Sequence, residues 1–292
     1  MKNRRFGIVD EGILREIERK KEILEKDLDY FLSVGQKRKR SLQVEALKHS
    51  ASLELEGYTQ GMTISQARSA RAKEQNRCED NLLDALNWGM KNYQDELSLD
   101  YLRELGKRID PISNFDGFRK SNVRVTGSRS TLPGAEKLDR ELTTFLLITN
   151  TLEHPIEKAV YSHLHFVRIH PFADGNGRTT RLLQNIILDK GDYCPIVINR
   201  DERAEYLDLV EKATYSYNDQ ESNADSTFLD SKKIYFDANS PLSMRRLAEK
   251  NILETSRTFL KREQSDFFGY LALKIRDEYQ RELSKMHKRA RK

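Results

Sequence analysis

A mainly α-helical bundle carrying one small β-hairpin is the fold this sequence predicts, and three observations predict it. Apolar residues recur three and four apart through most of the 292 residues. Only one region, around Val123, carries the turn and strand signals of a hairpin. The composition, 37% apolar and 33% charged, is that of a soluble, helix-leaning chain.

Taken in order, Ile13, Ile17, Leu24, Leu28 and Phe31 share one face of a first helix. A second helix holds Leu42, Ala46 and Leu47 and runs toward Glu56, with Gly57 placed to end it. Glu74 to Lys91 reads as a third, with Cys78, Leu82, Ala85 and Leu86 inward. Asp110-Pro111 and Gly117 then mark turns ahead of Val123-Arg124-Val125-Thr126-Gly127, the expected hairpin, and Pro133-Gly134 closes the region. Helical period returns in Leu138, Leu142, Phe145, Leu146, Thr149 and Leu152, and continues in Ile156, Ala159, Val160, His163, Leu164 and Val167. A helix from about Gly177 to Leu188 buries Leu182, Leu183, Ile186 and Ile187. Another begins near Asp201, expected as its cap, and carries Tyr206, Leu209, Val210 and Ala213. The Asn-, Asp- and Ser-rich stretch from Tyr217 to Ser240 reads as an irregular connection. Met244, Leu247, Ile252 and Phe259, then Phe268, Leu271 and Ile275, predict two further helices. The expected organisation is an N-terminal helical extension over 1–40, a central domain over 41–215 and a C-terminal helical extension over 216–292.

The net charge of +5 permits anionic partners, ATP among them, without singling out nucleic acid. The basic runs Lys37-Arg38-Lys39-Arg40 and His287 to Lys292 read as solvated helix faces or loops. No stretch is apolar for long enough to span a bilayer, and no secretory segment follows the basic Met1 to Arg5. Two cysteines, Cys78 and Cys194, outside any Cys-X-X-Cys pair, fit a reducing cytoplasm, the expected location. A homo-oligomer is compatible with these properties.

Chemistry concentrates in His170-Pro-Phe-Ala-Asp-Gly-Asn-Gly-Arg-Thr-Thr-Arg181, between two strongly apolar helices. Its glycines allow close backbone approach to a ligand, and the N–H groups and dipole of a helix N-terminus favour a phosphate. Arg178 and Arg181, three apart, project from one side of the first turns, where guanidinium groups can hold phosphate oxygens. Asp174 beside bound phosphates suits Mg²⁺, and His170 can accept the proton of an attacking hydroxyl. Each residue alone has a structural explanation: a capped carbonyl, a turn, a solvated arginine face. Together they supply a base, a metal ligand, an anion nest and two clamps, the needs of phosphoryl or nucleotidyl transfer.

The segment resembles the signature of the Fic family, His-X-Phe-X-(Asp/Glu)-Gly-Asn-Gly-Arg-X-X-Arg. It matches at His170, Phe172, Asp174, Gly175, Asn176, Gly177, Arg178 and Arg181. The resemblance extends over roughly Glu45 to Ala213 and implies a Fic-type helical bundle that transfers AMP from ATP to a Ser, Thr or Tyr hydroxyl of a target protein. It implies His170 as the base and Asp174 as the Mg²⁺ ligand. It implies Gly175, Asn176 and Gly177 at the α- and β-phosphates, with Arg178 and Arg181 at the β/γ end. Phe118-Arg119 followed by Val123, Arg124, Val125 and Thr126 looks like the family's flap, which holds a target segment by strand addition. Tyr206 and Leu207 fall where the family lodges adenine, and Thr214 stands where it places an asparagine near the ribose.

Ser52-Leu53-Glu54-Leu55-Glu56-Gly57 resembles the family's inhibitory motif, (Ser/Thr)-X-X-X-Glu-(Gly/Asn), in the subclass that carries it N-terminal to the signature. That resemblance implies that Ser52 and Glu56 share an inhibitory helix and that Glu56 occupies Arg181, displacing a γ-phosphate. Three other readings use the same residues. One is hydrolysis of AMP from a modified protein with Glu56 orienting water, and another is transfer of phosphate or phosphocholine. The third is a non-catalytic module binding nucleotide or nucleic acid.

Overall fold

The computed structural model describes residues 7–27, 36–53, 64–125, 128–224, 226–259 and 262–289. Their helices are α1 (Glu11–Lys26), α2 (Gln36–Leu53), α3 (Ile64–Asn92), α4 (Leu99–Ile109), α5 (Leu138–Thr151) and α6 (Pro155–Ile169). They continue with α7 (Asn176–Lys190), α8 (Arg203–Ser222), α9 (Ser226–Phe236), α10 (Leu242–Thr258) and α11 (Arg262–Arg289). No helix among the described residues is long and apolar enough to cross a membrane.

The bundle is organised around α6 and α7, in each of which twelve of fifteen residues are buried. A helix buried on nearly every side must sit at the centre of its neighbours. Helices α3, α4, α5, α8 and α11 contribute to one continuous core around this pair, with Leu102, Phe145, Ala213 and Phe268 among the side chains. Sequence-local signals set the helix starts. Asp10 accepts from Ile13 N–H at 3.0 Å to open α1, and Ser98 accepts from Tyr101 N–H at 3.1 Å to open α4. Pro155 opens α6 behind an His154 cap, where its fixed φ and missing N–H cost nothing.

Several expectations change. No strand occurs among the described residues. Val123, Arg124 and Val125 run as irregular chain, Val125 is 40% exposed, and Thr126 and Gly127 lie outside the described residues. A two-stranded ribbon is marginal without a third strand or a packed face, and an exposed Val125 supplies neither. Helix α4 was not expected, yet Tyr101, Leu102, Leu105 and Ile109 bury one face of it. Helix α3 begins at Ile64, ten residues before Glu74.

The stretch after Tyr217 is helical rather than irregular: α8 runs to Ser222, and α9 follows at Ser226. Packing overrides its polar composition. Phe228 is fully buried with Tyr217, Ile252 and Phe259 in a second small core. Lys232 reaches Glu141 and Glu221 at 3.4 and 2.5 Å. In α10 the inward face is Ala248 and Ile252, while Met244 and Leu247 are exposed. Asp201 is not the cap of its helix; the Glu202 carboxylate reaches back to Asn199 N–H at 2.9 Å. Leu28 and Phe31 lie outside the described residues.

Candidate active site

The site forms where α6 gives way to α7. His170 is the C-cap of α6 at φ 53°, ψ 57°, a left-handed conformation that costs a non-glycine residue about 1–2 kcal/mol. Three hydrogen bonds hold it there. Its N–H donates to Phe166 O at 3.0 Å, and its carbonyl accepts from Arg119 Nε at 2.8 Å. Its ring Nδ1 lies 3.1 Å from Val167 O. A carbonyl only accepts, so Nδ1 carries a proton, and Nε2 is the nitrogen at which the ring can act as a base.

Phe172 anchors the loop. It is fully buried, with ring centroids 5.3 Å from Phe118 and 6.0 Å from Phe166. Gly106 of α4 leaves the room it occupies, since a Cβ there would lie 2.1 Å from the ring. Asn176 closes the loop with both ends of its amide: Oδ1 accepts from Phe172 N–H and Nδ2 donates to Phe172 O, each at 2.9 Å. Its side chain is therefore committed to the loop, and it serves a ligand through loop shape. Gly175 takes φ 75° as the N-cap of α7, 3.1 Å from Ile109 Cγ2 by its missing Cβ. With no capping side chain on Gly175, the positive end of the α7 dipole, at Asn176 and Gly177, suits an anion.

Asp174 is the exposed acid of the loop, its side chain 64% accessible. Oδ1 accepts from Gly175 N–H at 2.6 Å, and Oδ2 lies 3.4 Å from Arg178 Nη2. Asn114, which no local sequence signal marks, braces Asp174 by donating to its carbonyl at 2.9 Å and to Gly106 O at 3.0 Å. No group of three His, Cys, Asp or Glu residues suited to a metal occurs among the described residues. A lone exposed carboxylate suits a Mg²⁺ that takes the rest of its shell from phosphate oxygens and water.

The two arginines share a helix but not an environment. Arg178 is buried, with Cys78 Sγ at 3.1 Å and Asp110 at 3.5 Å. Burial alone would raise the Asp110 carboxyl, but the Ser113 N–H and the Arg178 guanidinium outweigh it and hold the carboxyl below the usual range. Burial pushes the Cys78 thiol up, so it stays a thiol beside Arg178. Arg181 turns to the last turns of α2, where Nε donates to Ser50 Oγ at 2.9 Å and Nη2 to Ser50 O at 3.2 Å. Ser52 sits on the same helix and donates to its own His49 O at 2.8 Å. Glu56 lies outside the described residues.

A cleft of about 350 Å³ opens beside His170, lined by Val125, Leu132, Val167, Leu207 and Thr214. Leu207 and Thr214 line this cleft. Tyr206 does not; it is 2% exposed and its hydroxyl lies 2.9 Å from His163 Nε2 in the core. Successive helical residues point about 100° apart, and here Leu207 turns to the cleft while Tyr206 turns to the core. Val125 is the one flap position that lines the cleft among the described residues; Val123 and Arg124 do not. Arg203 and Glu211, which no local sequence signal marks, line it as well.

Residues 96–188 match the Fic/DOC family model. Over 136 residues the chain is 35% identical to "Protein adenylyltransferase Fic" of Aedes aegypti, an alignment covering 44% of this chain and 27% of that protein. The protein of the same name from Nematostella vectensis is 31% identical over 141 residues, 47% of this chain and 33% of that one. The chain therefore spans about a quarter to a third of the length of these curated relatives. Among solved structures, Caenorhabditis elegans Fic-1 (residues 134–508) matches with a TM-score of 0.53 at 18% identity, covering 94% of this chain and 72% of that one. A Fic domain containing signaling protein from Bacteroides thetaiotaomicron matches with a TM-score of 0.53 at 21% identity, over 90% and 97%. These two likenesses establish a shared fold.

Proposed function

We propose, from the match of residues 96–188 to the Fic/DOC family, that this chain is a protein adenylyltransferase, moving AMP from ATP to a hydroxyl side chain of a target protein. The observation that carries this reading is His170, its Nδ1 tied to Val167 O and its ring on the wall of the cleft. That arrangement suits a base for a Ser, Thr or Tyr hydroxyl. As the hydroxyl oxygen attacks the α-phosphorus, its proton passes to His170 Nε2 and pyrophosphate leaves. The α7 N-terminus at Gly175, Asn176 and Gly177 takes the phosphates, and Leu207 and Thr214 offer an apolar wall and a hydroxyl to the nucleoside. Asp174 is the residue that would hold Mg²⁺, which neutralises phosphate charge when bound. Arg178, buried against Asp110, acts from behind the loop, and Arg181 serves the far phosphate end. The two cysteines, both free, fit a reducing compartment such as the cytoplasm.

The test is direct. The purified chain incubated with Mg-ATP and a cell lysate is expected to yield proteins heavier by one AMP by mass spectrometry. Retained nucleotide with no mass gain on any protein would overturn the assignment in favour of a binding module.

The brake belongs to this reading too. Arg181 already donates twice to Ser50 in α2, so the clamp and the helix leading toward Glu56 are in contact. A carboxylate placed on Arg181 turns the γ-phosphate aside and the α-phosphorus out of line, a misplacement that costs about a hundredfold in rate. Glu56→Gly is expected to raise labelling of lysate proteins by labelled ATP by about that factor. Adding Arg181→Ala should abolish the gain. Equal labelling by parent and Glu56→Gly, with unchanged circular dichroism, would place the brake elsewhere.

A further inference from the structure

One side chain outside the signature ties His170 to both ends of the segment that walls the cleft. Arg119 is 6% exposed and donates from each of its three guanidinium nitrogens to a backbone carbonyl. Nε reaches His170 O at 2.8 Å, Nη1 reaches Ser121 O at 2.9 Å, and Nη2 reaches Pro133 O at 2.5 Å. Its own N–H donates to Pro171 O at 2.8 Å. Ser121 and Pro133 are the two roots of the segment that contributes Val125, Ser128, Ser130 and Leu132 to the cleft wall. The far side of that segment is fastened to α8, where Glu211 accepts from Arg129 N–H at 2.5 Å and Asn218 donates to Thr131 O at 3.0 Å. A single planar group thus holds both roots of the wall and the carbonyl of the left-handed His170.

Resting on the adenylyltransferase reading of this site, we propose that Arg119 is a positioning residue that sets the distance between the His170 ring and the target-facing wall of the cleft. The chemistry of the side chain fits this role. Three acceptors that diverge in one plane need a delocalised fork, which lysine's single ammonium cannot reproduce. Carbonyls carry no net charge, so the cation is placed for geometry rather than to neutralise an acid. Burial lowers its pKa, yet an arginine remains charged. Losing the fork releases His170 O, Ser121 O and Pro133 O together and leaves Asn122 Oδ1, accepting from Ala135 N–H at 2.8 Å, to tie the roots without His170.

Arg119→Ala in a Glu56→Gly background tests this. The kcat for AMP transfer to lysate proteins is expected to fall about thirtyfold to a hundredfold, the cost of a small misplacement of reacting groups. Affinity for Mg-ATP by calorimetry should stay within about threefold, since Arg119 touches none of the phosphate-holding backbone. Hydrogen exchange of the nucleotide-free protein gives a readout independent of turnover. Residues 119–125, 128–133 and 170–172 are expected to exchange about tenfold faster together, with the interiors of α6 and α7 still protected. Unchanged kcat, or faster exchange confined to 119–125 with 170–172 unaffected, overturns the proposal. If Arg119→Ala does not fold, Arg119→Lys decides, with an expected loss of about tenfold in kcat; full activity in that variant overturns it as well. A Glu56→Gly parent that transfers no AMP defeats the functional reading instead, and the exchange pattern still decides the role of Arg119.

Discussion

His170→Ala, made in the Glu56→Gly background, is expected to lower AMP transfer by about a hundredfold to ten-thousandfold, the usual cost of losing a general base. The structure makes this a clean substitution. His170 binds its surroundings mainly through its backbone, with N–H on Phe166 O and carbonyl on Arg119 Nε, and those bonds survive the change. The ring's Nδ1 donates to Val167 O, which orients the imidazole. Mg-ATP affinity by calorimetry should therefore change little, because the α7 N-terminus and Asp174 remain in place. A variant that retains near-parental transfer would remove His170 from the reaction. One that loses ATP binding as strongly as transfer would make it a ligand rather than a base.

Acid should destabilise this protein early, and two buried histidines are the reason. His163 is fully buried between Gln184 Oε1 at 2.5 Å and Tyr206 OH at 2.9 Å. Burial pulls its pKa down to about 3. His165 is 2% exposed and stacks on Tyr161 at 4.0 Å. Burial, with Arg168 and Lys232 nearby, holds it well below the ordinary value. Above pH 6.5 these rings are neutral whether the chain is folded or not, and they impose no penalty. As pH falls from 6.5 toward 3, the unfolded chain binds protons that the folded chain refuses, so stability is lost with acid. At pH 5 His163 alone should cost about 2 kcal/mol relative to pH 7, at about 1.4 kcal/mol per pH unit. His165 adds to the loss in the same direction. Below pH 4.5 Glu141 joins them. Burial alone would raise its carboxyl, but Arg168 and Lys232 hold it at about 2, so protonating it forfeits that pairing. Urea unfolding at pH 7, 6 and 5 should show this slope, and His163→Gln should remove about one proton from it. An unchanged slope in the variant would show that His163 takes up its proton in the folded state.

Both histidines were visible in the sequence, His163 as one inward position of a helical stripe, but nothing local marked them as neutral. A stripe specifies a face. How dry that face is depends on what Tyr206, Gln184 and Tyr217 bring from α7 and α8. The same distinction explains Tyr206 and Leu207. Both lie in the right stretch of chain, and only the rotation of α8 against α6 sends Leu207 to the cleft and Tyr206 to the core.

What the sequence determined by itself was the helical character, from apolar residues three and four apart, and the shape of the loop from His170 to Arg181. The loop was legible because its requirements are local. A left-handed Gly175, an Asn176 amide returning to Phe172 four residues back, and a helix opening without a cap all act within a few residues. What only the tertiary structure decided was which side chains serve that loop from a distance. Arg119 reaches His170 across 51 positions, Asn114 reaches Asp174 across 60, and Arg181 reaches Ser50 across 131. The helicity of 226–236 likewise came from Phe228 and Lys232 finding partners on other helices rather than from their neighbours in sequence. Hydrogen bonds and burial between distant segments leave no period or spacing along the chain, because their geometry comes into being only when the core around α6 and α7 closes.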